Sequence, residues 1–311
     1  MENINLPITG ICSFAKYPIC TDLDTLDADI AVLGVPYDQG AAWYGGQRLA
    51  PRAVRNISTA YARGETGFYD PEKDAYLLAA PIRVVDCGDA DMLHGDREYC
   101  FSSIEDSVRR ILKRGAAPAV IGGDHSISIP VARALSELGE TINIVQFDAH
   151  LDFAMSRGPQ KYGNGSPIRR MSEMPHIGNI VQIGMRGLGS SSRQDWTDAR
   201  NANTVITAKD FHRMGIQNVL EQIPSGKTFI TFDIDAYDIS LMPATAAPSP
   251  GGLLYDETCE LLSGICAKAE VIGFDLVETA PSYDTPATTG CRLAALTMLH
   301  IMGQMTKKTL E

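Results

Sequence analysis

"INIVQFDAHLDF", residues 142–153, decides how this chain is read. Its first half is apolar and β-branched, the pattern of a strand buried on both faces. Its second half carries Asp148, His150 and Asp152 at alternate positions, so an extended backbone points all three to one side. Two carboxylates and an imidazole at the mouth of a buried strand repel and desolvate one another. Something must offset that penalty.

The same alternation of apolar runs and polar turns extends outward in both directions. "DIAVLGVPY" (29–37), "APAVIGG" (117–123), "IVQIGMR" (180–186), "TFITFDID" (228–235) and "VIGFDLVE" (271–278) read as further strands. Between them lie helix patterns. "SIEDSVRRILKRG" sets Ile104, Val108, Ile111 and Leu112 on one face, with Ser102 or Ser103 as the expected cap and Gly115 as the stop. "PVARALSEL" predicts a helix that starts at Pro130, and "DETCELLSGICAKA" (256–269) predicts another. Strands alternating with helices imply an α/β fold with a largely parallel sheet covered on both faces. Ligands of such sheets bind beyond the carboxyl ends of the strands, where the unusual residues of this chain cluster.

Composition narrows the function. The 311 residues carry a formal net charge of −11, which argues against a nucleic-acid partner and suits a cationic substrate. No apolar run reaches the roughly 20 residues of a membrane helix. "MENINLPITG" has neither a basic n-region nor an apolar h-region, so no signal peptide is expected. The seven cysteines are scattered, odd in number and without a CxxC pair, as for reduced thiols in a cytoplasmic protein. No G-x-S-x-G elbow and no P-loop occurs.

Three strand ends carry acid or histidine. "GGDHS" supplies Asp124 and His125, "FDAHLD" supplies Asp148, His150 and Asp152, and "TFDIDAYD" supplies Asp233, Asp235 and Asp238. A single Asp at a strand end is most often a helix cap, and a lone His in a glycine turn is most often structural. Three such clusters after three apolar strands shift the balance, because several unpaired buried carboxylates would be prohibitive. Hard cations remove the penalty. Carboxylate oxygens with two imidazoles suit a pair of divalent ions such as manganese, with nickel also chemically suitable. Two such ions about 3.5–4 Å apart activate water, so no serine or cysteine nucleophile is needed.

These motifs resemble the ureohydrolases, the family of arginase, agmatinase and the guanidino-acid amidinohydrolases. "GGDHSI" (122–127), "FDAHLD" (147–152) and "FDIDAYD" (232–238) stand in the family's order, flanked by "GVPYD" (34–38), "GQRLAPRAVR" (46–55), "PSPGGL" (248–253) and "DLVETAPSYD" (275–284). The match spans nearly the whole chain and implies one domain over 1–311, with a three-layer α/β/α, arginase-like fold. It implies trimers or hexamers and two divalent ions per chain, usually manganese, that hydrolyse a guanidinium group to urea and an amine through a bridging hydroxide. By position, the implied ligands are His125, Asp148, His150, Asp152, Asp233 and Asp235, with Asp148 and Asp235 touching or bridging both ions. Glu278 matches the acid that faces the substrate guanidinium, which it can pair by two parallel hydrogen bonds.

The chain departs from the family in two places. Asn164, in "YGNGSPIRR", stands where the family carries a histidine, and asparagine cannot carry a proton near neutral pH. Three readings follow: Asn164, with Ser166 beside it, orients the substrate; His176 substitutes downstream; or the chain is a weakly active partner in a heteromer. Beyond Asp238, Ile239 replaces a proline, and "ATAAPS" (244–249) puts Ser249 where agmatinases often carry an acid. That weakens agmatine as substrate. Arg169 and Arg170 could face a substrate carboxylate or be a solvated pair, and Trp43 and Tyr44 could stack a cation or pack in the core. The leading expectation is a metallohydrolase of a guanidino acid, guanidine or substituted biguanide rather than arginine. The alternative is an impaired structural or regulatory subunit beside an active paralogue.

Overall fold

The computed structural model describes residues 6–310, with side chains to 306; residues 1–5 of the stretch read for a signal peptide lie outside the described residues. Among the described residues ten strands occur in order: β1 (Ile30–Gly34), β2 (Phe68–Asp70), β3 (Ala75–Leu77), β4 (Val84–Asp89), β5 (Ala117–Ile121), β6 (Ile142–Phe147), β7 (Ile177–Met185), β8 (Thr204–Thr207), β9 (Lys227–Asp233) and β10 (Glu270–Val277). β2 and β3 form a separate antiparallel hairpin. The other eight make one sheet in the order β4-β1-β5-β10-β9-β6-β7-β8, with every neighbouring pair parallel.

A fully parallel sheet must be covered on both faces, and alternate side chains supply two cores. Phe147, Phe232 and Leu276 point to the face packed by helices Ala50–Ser58, Tyr255–Lys268 and Thr289–Leu310. Ile144, Phe229 and Val277 point to the face packed by Arg97–Lys113, Ser128–Ala134 and Pro167–Ser172. The result is the expected three-layer α/β/α architecture. Phe147 and Phe232 are register partners on adjacent strands, and their rings stack at 5.0 Å. Losing either would cost about 3–5 kcal/mol. Each immediately precedes a site acid, Asp148 or Asp233, so the stack fixes those two backbones at one level.

Two helix boundaries differ from the sequence reading. The helix at Arg97–Lys113 is capped by Asp96, whose side chain accepts the Tyr99 N–H, rather than by Ser102 or Ser103. Its buried face is as expected, and Gly115 ends it at φ +77°. The helix at Ser128–Ala134 begins before Pro130, which therefore sits within its first turn, where a missing N–H is harmless.

Candidate metal centre

Sheet order explains how motifs distant in sequence meet. The four neighbouring strands β5, β10, β9 and β6 carry, in turn, the His125 turn, Glu278, the Asp233/Asp235 pair and the 148–152 run. The registers Leu276↔Ile121, Val277↔Asp233 and Phe147↔Phe232 bring all four ends to the same height. The turn after β5 needs its glycine: a Cβ on Gly123 would sit 1.6 Å from the Tyr37 carbonyl oxygen.

The period-two spacing has a local cause as well. Asp148 Oδ1 accepts the His150 N–H at 2.6 Å, and Asp233 Oδ1 accepts the Asp235 N–H at 2.9 Å. Each first acid thereby turns the chain so that the second donor swings back over the sheet. Asp235 Oδ1 accepts the Ala149 N–H at 2.9 Å, tying the β9 end to the β6 end.

Two donor groups result. His125, Asp148 and Asp233 form one; Asp148, His150 and Asp235 form the other. Asp148 is common to both, as expected of a shared carboxylate, whereas Asp235 joins only the second. His125 Nδ1 lies 3.1 Å from Asp148 Oδ2, 3.0 Å from Asp152 Oδ2 and 3.3 Å from Asp233 Oδ2. His150 Nδ1 lies 2.9 Å from Asp235 Oδ2 and 3.5 Å from Asp148 Oδ1. All are buried except His150, which is partly exposed.

The chemistry of this set fits a cation. Thr231 Oγ1 donates to Asp275 Oδ1 at 2.7 Å and so accepts from His125 Nε2 at 2.9 Å. That fixes the proton on Nε2 and leaves the Nδ1 lone pair facing carboxylate oxygens, buried and without a hydrogen-bond partner. A proton at Nδ1 would serve one carboxylate at a time; a divalent ion serves them together.

Titration tells the same story. Burial would lower the His125 imidazole, but Asp148, Asp152 and Asp233 hold it well above its ordinary value. Asp235 foremost, then Asp148, pushes His150 up to about 12. Burial, then Asp235 and Asp148, raises Asp233 strongly, and burial with Asp148 lifts Asp152 to about 6. Asp148 goes the other way: against burial, His125 and His150 hold its carboxyl well below the usual range. Two carboxylates that resist ionising, beside imidazoles that resist neutralising, mark a site short of positive charge.

Glu278 lies against this set. It is buried and its Oε1 accepts from the His125 N–H at 2.9 Å and from Asn164 Nδ2 at 3.1 Å, while Oε2 accepts from Gln47 Nε2 at 2.8 Å. Burial raises its pKa. Glu278 and Asp152 both adopt left-handed backbones, φ +63° and +48°, a conformation that costs non-glycine residues about 1–3 kcal/mol and concentrates at functional sites. Glu278, Asn164, His150, Asp152, Asp233 and Asp235 line one cavity of about 370 Å³.

Other expectations are redirected. Ser166 is buried, does not line the cavity, and heads the helix Pro167–Ser172. Arg169 is buried against Phe153 and pairs with Asp198 at 2.7 Å, and Arg170 pairs with Glu173 at 2.9 Å, so neither faces the cavity. His176 precedes β7, roughly 30 Å of strand from the site, and its Nε2 contacts the Ala132 carbonyl. Asp124 and Asp238 are structural. Asp124 accepts from Gly40 and Ser126, and Asp238 accepts from Ser240, Gly251 and Gly252 to hold the loop carrying Ser249. Trp43 is not core: it is 84% exposed, stacks on Tyr44 at 5.2 Å, and both line the cavity.

Sequence reasoning missed Gln47, Gln146, Thr231, Asp275 and Arg157. Gln146 donates to Asp148 Oδ2 at 2.6 Å and is itself held by Gln182 at 2.7 Å. Gln146 and Thr231 continue the period-two registers of β6 and β9 backwards by one step, so the signal was present.

Residues 28–303 match the arginase family, and the chain belongs to it. The family's members here are hydrolases of the C–N bonds of linear amidines, and so is this chain. The chain is 30% identical to the mitochondrial guanidino acid hydrolase of Homo sapiens, over 96% of its own length and 84% of that protein. It is 31% identical to the guanidinobutyrase of Pseudomonas aeruginosa, over 90% and 88%. The solved proclavaminate amidino hydrolase of Streptomyces clavuligerus superposes with a TM-score of 0.83 at 28% identity, covering 97% of this chain and 99% of that one. Among the described residues, no helix is long and apolar enough to cross a membrane.

Proposed function

We propose that this chain hydrolyses a guanidino compound to urea and an amine. The observation that carries the reading is Asp148 shared between two imidazole–carboxylate groups beside the buried carboxylate of Glu278. His125, Asp148, His150, Asp152, Asp233 and Asp235 would hold two divalent ions, for which oxygen-rich donors favour manganese over nickel. Ions held there supply water activated for attack near neutral pH.

The remaining work falls to protein groups. Glu278 pairs with the planar guanidinium through charge-assisted hydrogen bonds and turns its carbon towards the donor floor. Asn164 donates to Glu278 and keeps its amide oxygen free to accept an N–H of the substrate. Unlike a histidine it moves no proton, so the departing amine takes up the proton released by the attacking water. Relatives named guanidino acid hydrolase and guanidinobutyrase support a guanidino substrate other than arginine. The complete donor set favours an active hydrolase over an impaired subunit. A cytoplasmic homo-oligomer, trimeric or hexameric, completes the proposal.

The test is urea release by the purified chain, loaded with manganese or nickel, across a panel of guanidino compounds, with bound metal counted by elemental analysis. About two ions per chain and turnover of at least one compound are expected. A chain that binds no metal, or binds it and releases no urea, refutes the reading.

A further inference from the structure

The cavity is electrically polarised. Its floor holds the acids, whereas the rest of its wall, including Ala42, Trp43, Leu188, Ala246, Ala247 and Ser249, carries no carboxylate. One cation joins that wall, Arg157. It comes from the loop that follows the 148–152 run and is exposed, with its side chain in the cavity lining. Its backbone is held nevertheless: Arg157 N–H donates to the Gln160 carbonyl at 2.9 Å, and Gln160 N–H donates back at 3.1 Å. The guanidinium lies over Gly165, where an added Cβ would come within 3.0 Å of Nε and Nη2. Gly165 directly follows Asn164, the residue bonded to Glu278.

We propose that Arg157 selects substrates whose tail ends in a carboxylate, so that the chain prefers guanidino acids over guanidino amines. The inference rests on the hydrolase reading and deepens it. A guanidino acid is a cation at one end and an anion at the other, matching a cavity with Glu278, the lining carboxylate that is not proposed as a metal ligand, on the floor and an arginine on the wall. An ammonium tail would meet Arg157 with like charge and find no acid at Ser249. Because Arg157 is exposed, the attraction is screened by salt.

The experiment compares the metal-loaded wild type with Arg157→Gln and Arg157→Glu on 4-guanidinobutyrate, agmatine and tail-less guanidine. The wild type should favour 4-guanidinobutyrate over agmatine. Arg157→Gln should raise KM for 4-guanidinobutyrate about fivefold with kcat little changed, the upper end for an exposed, salt-screened ion pair. Guanidine kinetics should not move, and Arg157→Glu should shift preference towards agmatine. A wild type that favours agmatine, or an unchanged KM in Arg157→Gln, overturns the inference while leaving hydrolase activity intact. If the wild type releases no urea from any compound, the hydrolase reading fails separately. Calorimetric binding of 4-guanidinobutyrate then decides: binding lost in Arg157→Gln supports the role, and equal or absent binding overturns it.

Discussion

Glu278→Gln isolates the charge of the group proposed to hold the guanidinium. The substitution preserves shape, and the surroundings can absorb it. Gln47 now donates Nε2 to Glu278 Oε2, but its own Oε1 is buried with no partner. Turning the Gln47 amide over lets it accept from the new side-chain N–H but gives up the 3.3 Å bond from its Nε2 to the Tyr44 carbonyl, so folding stability should fall by about 1 kcal/mol. The donors from His125 N–H and Asn164 still meet a carbonyl oxygen. What disappears is the charge and one of the two acceptors, because the new amide nitrogen can only donate. Charge-assisted hydrogen bonds contribute about 1.5–3 kcal/mol against about 0.5–1.5 for neutral ones. One bond to the guanidinium weakens and the other is lost, together about 2.5–4.5 kcal/mol, or about 70–2,000-fold in kcat/KM. Steady-state urea release measures that ratio, with elemental analysis and thermal melting run on the same preparations. Kinetics within twofold of wild type, at equal metal content, would show that Glu278 does not face the substrate.

Three further outcomes are expected. Asn164→Ala should lower kcat/KM about tenfold by removing a donor to Glu278, whereas Asn164→His, which restores a proton carrier, should raise turnover of substrates with strongly basic leaving amines; identical specificity profiles for both variants and wild type would remove Asn164 from the pocket. Gln146→Leu frees Asp148 Oδ2 and should weaken metal binding about 10–100-fold in a chelator competition titration, and unchanged affinity would show that the amide does not orient that carboxylate. Burial, with Lys73 nearby, lowers His300 to about 4, so folding opposes its protonation: the stability it contributes is complete above about 6.5 and is lost as pH falls towards 4. The melting temperature of His300→Gln should therefore fall less between pH 7 and 4.5 than that of the wild type, and equal falls would assign the acid sensitivity elsewhere.

The acids of the site were legible because their spacing conflicts with their setting: Asp148, His150 and Asp152 follow an apolar strand that cannot tolerate them uncompensated. The same register, followed one step back, leads to Gln146 and Thr231, but neutral polar residues in a strand raise no comparable conflict. Arginines were the hardest to assign. Arg169 and Arg170 lie on a short helix whose inward face is fixed by Phe153 and Asp198, contacts that no local pattern reveals. Arg157 sits in a loop without periodicity. The α/β alternation announced layers and a parallel sheet, but not that β10 and β9 enter between β5 and β6, since that order depends on pairings distant in sequence.

That interleaving governs when the site can exist during synthesis. A nascent chain that has emerged through β8 possesses His125 and the whole 148–152 run, yet β5 and β6 are separated by an unfilled gap two strands wide. Their facing edges have unpaired backbone groups until residues 227–277 arrive. Metal capture by the proposed centre would thus belong to the end of translation, and the incomplete sheet is the stage most exposed to misassociation. If the proposed centre is correct, ribosome-bound chains halted before residue 227 should retain neither added manganese nor added nickel, whereas released full-length chains should retain one of them.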